Sequence, residues 1–248
     1  MRLFWHQVRA EQLQFWRSRE SAFFVFAFPM LLFVLLGSVY TGRIDHHPAD
    51  EVLLAGLLGY GAANTAFVGL AIGLVADREL GILKRLRATP LPSTTYMAAL
   101  LGSTLLVFAL QSVLLFALGR VLYGSKLPGN LLSLGLALLV SAAAFATLGI
   151  AAASLIQSLE GSSAVLNFIL LPMAFLSGSF GPTRHYPGFL RAVGDVLPLK
   201  YTLRLVNATY LVGNRIWSRP GALGVLALWS VVAVGIAVRR FTWEPRRQ

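Results

Sequence analysis

Residues 76–92, ADRELGILKRLRATPLP, set Arg78, Lys84, Arg85 and Arg87 beside the acids Asp77 and Glu79, with Leu80, Leu83 and Leu86 recurring at every third position. On helical turns these types can donate charge-assisted hydrogen bonds to a partner's carboxylates and offer leucines to a groove. Gly81 divides the run, and Thr89 and Pro90 end it. A second polar break, QSLEGSS at 157–163, carries Glu160 as its only charge. Neither stretch pairs a nucleophile with a base, so no catalytic residue is assigned. His6, His46, His47 and His185 lack metal-ligand spacing, and His46 and His47 beside Asp45 and Asp50 read as a solvated loop. There is no cysteine and no GxxxxGK[ST] phosphate loop, so thiolate chemistry and that means of holding ATP are both excluded.

The elements around these breaks are apolar. Residues 21–42, 52–76, 88–119, 127–159, 161–183 and 220–238 contain no Asp, Glu, Lys or Arg, and each is near or above the roughly 20 residues that cross a bilayer core. With 56% hydrophobic and 12% charged residues, this predicts an all-α integral membrane protein rather than a soluble domain. The expected spans are 21–40, 53–76, 97–119, 131–156, 164–180 and 222–238, forming one domain over 21–248 behind an N-terminal segment, 1–20. The first span is too long for a signal sequence and lacks a cleavage site, so it is expected to remain as an anchor. Charge-free helices also argue against ion coupling, which ordinarily needs ionisable groups within the membrane.

Arg and Lys are expected to mark the cytoplasmic ends. Arg2, Arg9, Arg17 and Arg19 precede the first span, the 76–92 run carries four more, and Arg239, Arg240, Arg246 and Arg247 follow the last. The first outer loop has only Arg43, and the second Arg120 and Lys126. The connection 181–221 opposes the trend with six, but the charges nearer its middle count less, and twelve against three in the other segments decides. Both termini are therefore read as cytoplasmic, and the net charge of +11 as an attraction to anionic lipid rather than to nucleic acid.

Four segments have further shape. On a helical wheel, residues 1–20 gather Phe4, Trp5, Val8, Phe15 and Trp16 into one arc, interrupted by Gln12 and Arg19, as in an amphipathic helix lying on the inner membrane surface. Small residues from Ser141 to Ser154, and the pair Gly69 and Gly73, predict close helix packing. Pro172 and SGSFGP, residues 177–182, are expected to break the fifth span near its outer end. Beyond it, Phe189, Leu190, Val193, Val196 and Leu197, then Leu199, Leu203, Val206 and Tyr210, recur at helical spacing around Pro198. They predict two amphipathic helices over 186–210 dipping into the outer leaflet.

Together these strings resemble the ABC-2 family of ATP-binding-cassette permeases over essentially the whole chain. The family's acid–Gly–basic run and Thr-Pro step match Glu79, Gly81, the residues from Lys84 to Arg87, Thr89 and Pro90. Its aromatic-Leu-Ser-Gly and Leu-Pro-Leu-x-Tyr steps match the stretch from Phe175 to Gly178 and that from Leu197 to Tyr201.

The resemblance implies the membrane subunit of an exporter, with no cofactor in this chain. ATP and Mg would sit on a separate ATPase subunit, in two copies, and a second permease chain would complete the dimer in a bacterial or archaeal cytoplasmic membrane. It implies coupling through 77–92, by Asp77, Arg78, Glu79, Leu80, Gly81, Leu83, Lys84, Arg85, Leu86, Arg87, Thr89 and Pro90, with Glu160 in a second contact. Asn64, Thr65, Phe67, Asn167, Phe168 and Phe175 are candidates for lining a substrate route, with internal packing as the competing reading. Ser177, Gly178, Phe180, Pro198 and Tyr201 are candidates for an outer gate. An apolar route suits an amphipathic or hydrophobic drug, lipid or natural product. Polysaccharide or haem export, and a passive channel or secondary carrier, are the alternatives.

Overall fold

The computed structural model describes residues 2–44, 46–89 and 91–242. Met1, Asp45, Pro90, Arg246 and Arg247 lie outside the described residues, as does the side chain of Arg87. Helix α1 (Arg2–Arg17) is followed by a helical turn (Arg19–Ala22) and α2 (Phe23–Val39). A short antiparallel hairpin pairs Arg43 with Pro48 and Ile44 with His47. Then come α3 (Ala49–Glu79), α4 (Ile82–Arg87), α5 (Ser93–Tyr123), α6 (Leu131–Leu155) and α7 (Leu159–Ser177), followed by α8 (Gly188–Val196), α9 (Pro198–Tyr210) and α10 (Pro220–Arg240).

Among the described residues, five helices, α3, α5, α6, α7 and α10, are long and apolar enough to cross a membrane. Helix α2 is shorter, and its 17 residues reach only about 25 Å at ~1.5 Å per residue. Helices α3, α5 and α10 run past the expected ends because apolarity marks the membrane slab while backbone hydrogen bonding continues beyond it. Helix α7 starts earlier than expected, at Leu159 rather than 164, but ends short, at Ser177 rather than 180. Pro172 does not break it. A proline forgoes one backbone hydrogen bond, and a helix packed in a membrane tolerates that loss.

Helix α3 is the axis of the bundle: its apolar stretch is 83% buried, against 28% for α7 and 22% for α10. Missing side chains make this enclosure possible. A Cβ on Gly56 would lie 2.2 Å from the Ser179 carbonyl oxygen, and one on Gly149 of α6 would lie 2.7 Å from that of Ala66. At the latter contact α3 widens into a π-helical stretch, Asn64–Gly69, and α6 lays its small residues Ser141, Ala142, Ala146, Gly149 and Ala153 inward. The expected Gly69 and Gly73 pair does not serve this packing. Nothing lies within 4 Å of a Cβ on Gly73, and only the Asn64 carbonyl approaches Gly69, because both glycines sit on the outward side of α3.

The two helices after α7 differ in setting. Helix α8 exposes Phe189, Val193 and Val196, whereas α9 buries Leu199, Leu203, Leu205, Val206 and Tyr210 against α3 and its neighbours. Amphipathic spacing identifies a face but not what covers it, so α9 is bundle core rather than a surface helix. At its end the Tyr210 hydroxyl donates to the Lys126 carbonyl at 3.0 Å, and the Lys126 amide donates to Glu51 at 3.4 Å. These bonds join one end of α3 to the α5–α6 connection.

Candidate coupling surface and outer segment

At the other end of α3 the helix leaves the apolar region with two charged residues folded inward. Asp77 and Arg78 are each 2% exposed. Gln14 of α1 donates to Asp77 Oδ1 at 3.0 Å, and the Tyr96 hydroxyl of α5 donates to Oδ2 at 2.9 Å. Arg78 turns the opposite way. Its Nη1 donates to the Ala153 carbonyl at 2.8 Å, its Nη2 to that of Ile156 at 2.7 Å, and its Nε to Glu79 at 2.8 Å. A guanidinium here satisfies carbonyls that the end of α6 leaves without helical partners, and its charge complements the helix dipole.

Gly81 then reverses the chain at φ +71°, a left-handed conformation that disfavours any side chain. Its amide bonds to the Arg78 carbonyl at 3.0 Å, and α4 begins at once. Within α4, Leu83 is fully buried and Leu86 half-buried, while Lys84 and Arg85 are exposed, as is Leu80 just before the helix. Arg85 folds back on the turn, with Nη2 3.0 Å from the Leu80 carbonyl oxygen. Thr89 closes α4 by donating from Oγ1 to the Leu86 carbonyl at 2.6 Å.

The run therefore divides by burial. Asp77, Arg78 and Leu83 fasten it to the bundle, so the expected leucine face is not wholly available to a partner. Leu80, Lys84, Arg85 and Thr89 remain open. Glu160, in the first turn of α7, is also exposed, and only Ile156–Ser158 separates α6 from α7, so most of the 157–163 break is helical. Arg78 ties this turn to the 76–92 run, bringing the two predicted contact segments together.

The remaining candidates fall into separate places. Asn64, Thr65 and Phe67 are enclosed by the chain itself. Asn64 Nδ2 donates to the Phe24 carbonyl at 3.2 Å, and Thr65 Oγ1 to Gln111 Oε1 at 3.0 Å. Internal packing accounts for them, because α3 is the central helix. Asn167 bonds back to the Ser163 carbonyl at 2.9 Å, and Phe168 and Phe175 project from α7 with 80% and 53% exposure. In the segment expected to lie outside, Gly178 ends α7 at φ +92°. Phe180 packs against the rings of Tyr60 and Phe175. Pro198 is buried at the start of α9, and the Tyr201 hydroxyl donates to the Asp195 carbonyl at 2.7 Å. Ser177 Oγ is buried without a hydrogen-bond partner among the described residues.

Sequence reasoning missed Glu11, Gln14 and Tyr96. For the first two the signal was present in α1, whose apolar arc is broken by Gln12. That glutamine bonds both the carbonyl and the hydroxyl of Ser103 at 2.9 Å.

Compared with known proteins, residues 2–211 match the family model described as ABC-2 type transporter. The ycf38 protein of Porphyra purpurea is 25% identical over 233 residues, 90% of this chain and 78% of its own. YvfS of Bacillus subtilis is 22% identical over 191 residues, 76% and 78% of the two chains. The ycf38 protein of Pyropia yezoensis is 27% identical over 219 residues, 83% and 72% respectively. Each of the three is named "Putative transport permease".

Proposed function

This chain belongs to the ABC-2 type transporter family and is a transport permease subunit, and from that premise we propose that it exports its substrate with energy from a separate ATPase docked on residues 77–92. The carrying observation is the Arg78 link. A push on the exposed surface of Leu80, Lys84 and Arg85 reaches α3 directly, and through the Ala153 and Ile156 carbonyls it reaches the junction of α6 and α7. Glu160 borders the same junction and supplies the second contact.

In this reading α2 is the sixth span, lengthened by the preceding helical turn, and both termini face the cytoplasm. Two permease chains and two ATPase chains form the working unit, with ATP and Mg on the ATPase. The route runs between the permease chains, where Asn167, Phe168 and Phe175 of α7 can line it, and the segment from Ser177 through Tyr201 gates its outer end. Apolar exposure on α7 favours an amphipathic or hydrophobic substrate.

Co-reconstitution with the partner ATPase in proteoliposomes tests this. Glu79→Lys, which sets a second cation beside Arg78, and Gly81→Pro, which cannot adopt the observed φ, are expected to leave insertion intact and ATP hydrolysis measurable while abolishing ATP-dependent efflux. Normal efflux in both variants would rule out coupling through this segment.

A further inference from the structure

Helices α9 and α10 meet through Leu205, Ala222 and Leu226, which pack with Ile216 into one buried apolar cluster. Over this contact lies an open cleft of about 500 Å³, walled by Tyr201 and Arg204 on one side and by residues 218–222 with Val225 on the other. Its polar groups are unequally committed. Arg204 donates from Nη2 to Asp195 at 2.8 Å and lies over the Tyr201 ring, 4.8 Å from its centroid. The Tyr201 hydroxyl donates to the Asp195 carbonyl. Arg219 is exposed, and among the described residues neither its guanidinium nor the Ser218 hydroxyl has a hydrogen-bond or ion-pair partner. One carboxylate thus offsets one of two guanidiniums, and the cleft keeps a positive charge.

We propose that this cleft holds the phosphate of an anionic glycerophospholipid, with Arg219 as the principal donor and Arg204 as the second. A guanidinium presents paired N–H groups that match a phosphate, and Arg219 has all of its own free for that purpose. Depth and shape favour a lipid over free phosphate. Helix α10 is long and apolar enough to cross a membrane from its first residue, Pro220, which sets the cleft at headgroup level. Trp217, exposed just before Ser218, is of the residue type that gathers at that level. From the cleft, Val225 continues at helical spacing into the exposed Leu228 and Val232, an apolar stripe on one face of α10 along which an acyl chain can lie. A zwitterionic lipid brings the same phosphate with an added ammonium, which the positive cleft repels. The site stands apart from the exporter reading, and only its leaflet, the outer one, follows from the orientation proposed above.

Native mass spectrometry of the full chain, released from detergent with phosphatidylglycerol, phosphatidylcholine or inorganic phosphate added in turn, tests the site. One phosphatidylglycerol should be retained at concentrations where the other two are not. Arg219→Ala should weaken that retention about tenfold, the loss of one charge-assisted contact, and Arg219→Lys should recover part of it. Arg215→Ala removes a cation that is equally exposed but does not line the cleft, and should change nothing. Phosphatidylglycerol with a photoactivatable acyl chain should crosslink to residues 225–232. Equal losses in the Arg215 and Arg219 variants, equal retention of phosphatidylcholine, or crosslinks confined to other helices would overturn the proposal. Displacement by inorganic phosphate at matching concentration would overturn the choice of a lipid. Neither readout involves the ATPase, so failure here leaves the coupling role of residues 77–92 standing, and normal efflux in Glu79→Lys and Gly81→Pro leaves this site standing.

Discussion

Arg78→Ala would leave the Ala153 and Ile156 carbonyls and the Glu79 carboxylate without their cation at a site 2% exposed. Removing one partner of a buried charged network costs about 3–5 kcal/mol, so the variant should lose most of its monodisperse folded fraction on thermal challenge in detergent. Arg78→Lys, with one donor group in place of a fork, should recover part of it. Arg85→Ala makes the contrast, because its guanidinium is exposed and bonds only within its own turn; its stability should change by less than about 1 kcal/mol. Sequence placed both arginines in the functional run but could not separate them. Charge type was legible at residue level, whereas direction depends on a carbonyl 75 positions away. The same holds for Asp77, whose partners lie 63 and 19 positions away.

Among the elements, glycine position decides how closely α3 and α6 approach. Gly149→Val would drive a side chain into the Ala66 and Phe67 carbonyl oxygens, 2.7 and 2.9 Å from its Cβ. Both are backbone atoms that cannot rotate away, and overpacking of this kind costs about 1–3 kcal/mol or more. Gly73→Ala meets open space and should leave the stability of the single chain unchanged or raise it by up to about 1 kcal/mol. Thermal unfolding of the two variants side by side checks the pair. The helices themselves were legible because a charge-free run long enough for a bilayer has few other readings. Their contacts were not, since a GxxxG spacing records small size and leaves open which neighbour uses it. Helix α9 teaches the same point: its spacing was readable, and its burial came from the Ala49–Ala63 part of α3, more than 130 residues earlier in the chain.

Over the whole molecule the basic residues make the topology testable. Arg78, Lys84 and Arg85 cluster at one end of α3, and the connection after α7 carries Arg184, Arg191, Lys200, Arg204, Arg215 and Arg219. Some of the second group are engaged locally: Arg204 pairs with Asp195 at 2.8 Å and lies over the Tyr201 ring, and Lys200 Nζ is 3.4 Å from Thr183 Oγ1. Charges engaged within the segment after α7 are held by the folded segment itself, so they need not direct insertion as charges flanking a span do. The native chain has no cysteine, so single substitutions can be labelled without background. With α2 as a span, Arg191→Cys should react with a membrane-impermeant maleimide on intact cells and Lys84→Cys only after permeabilisation. If α2 instead stays on one face of the membrane, five crossings put the ends of the chain on opposite sides. A cysteine introduced at Arg9 would then label from the side opposite to one at Arg240, whereas six crossings require both to be protected in intact cells and to become reactive together.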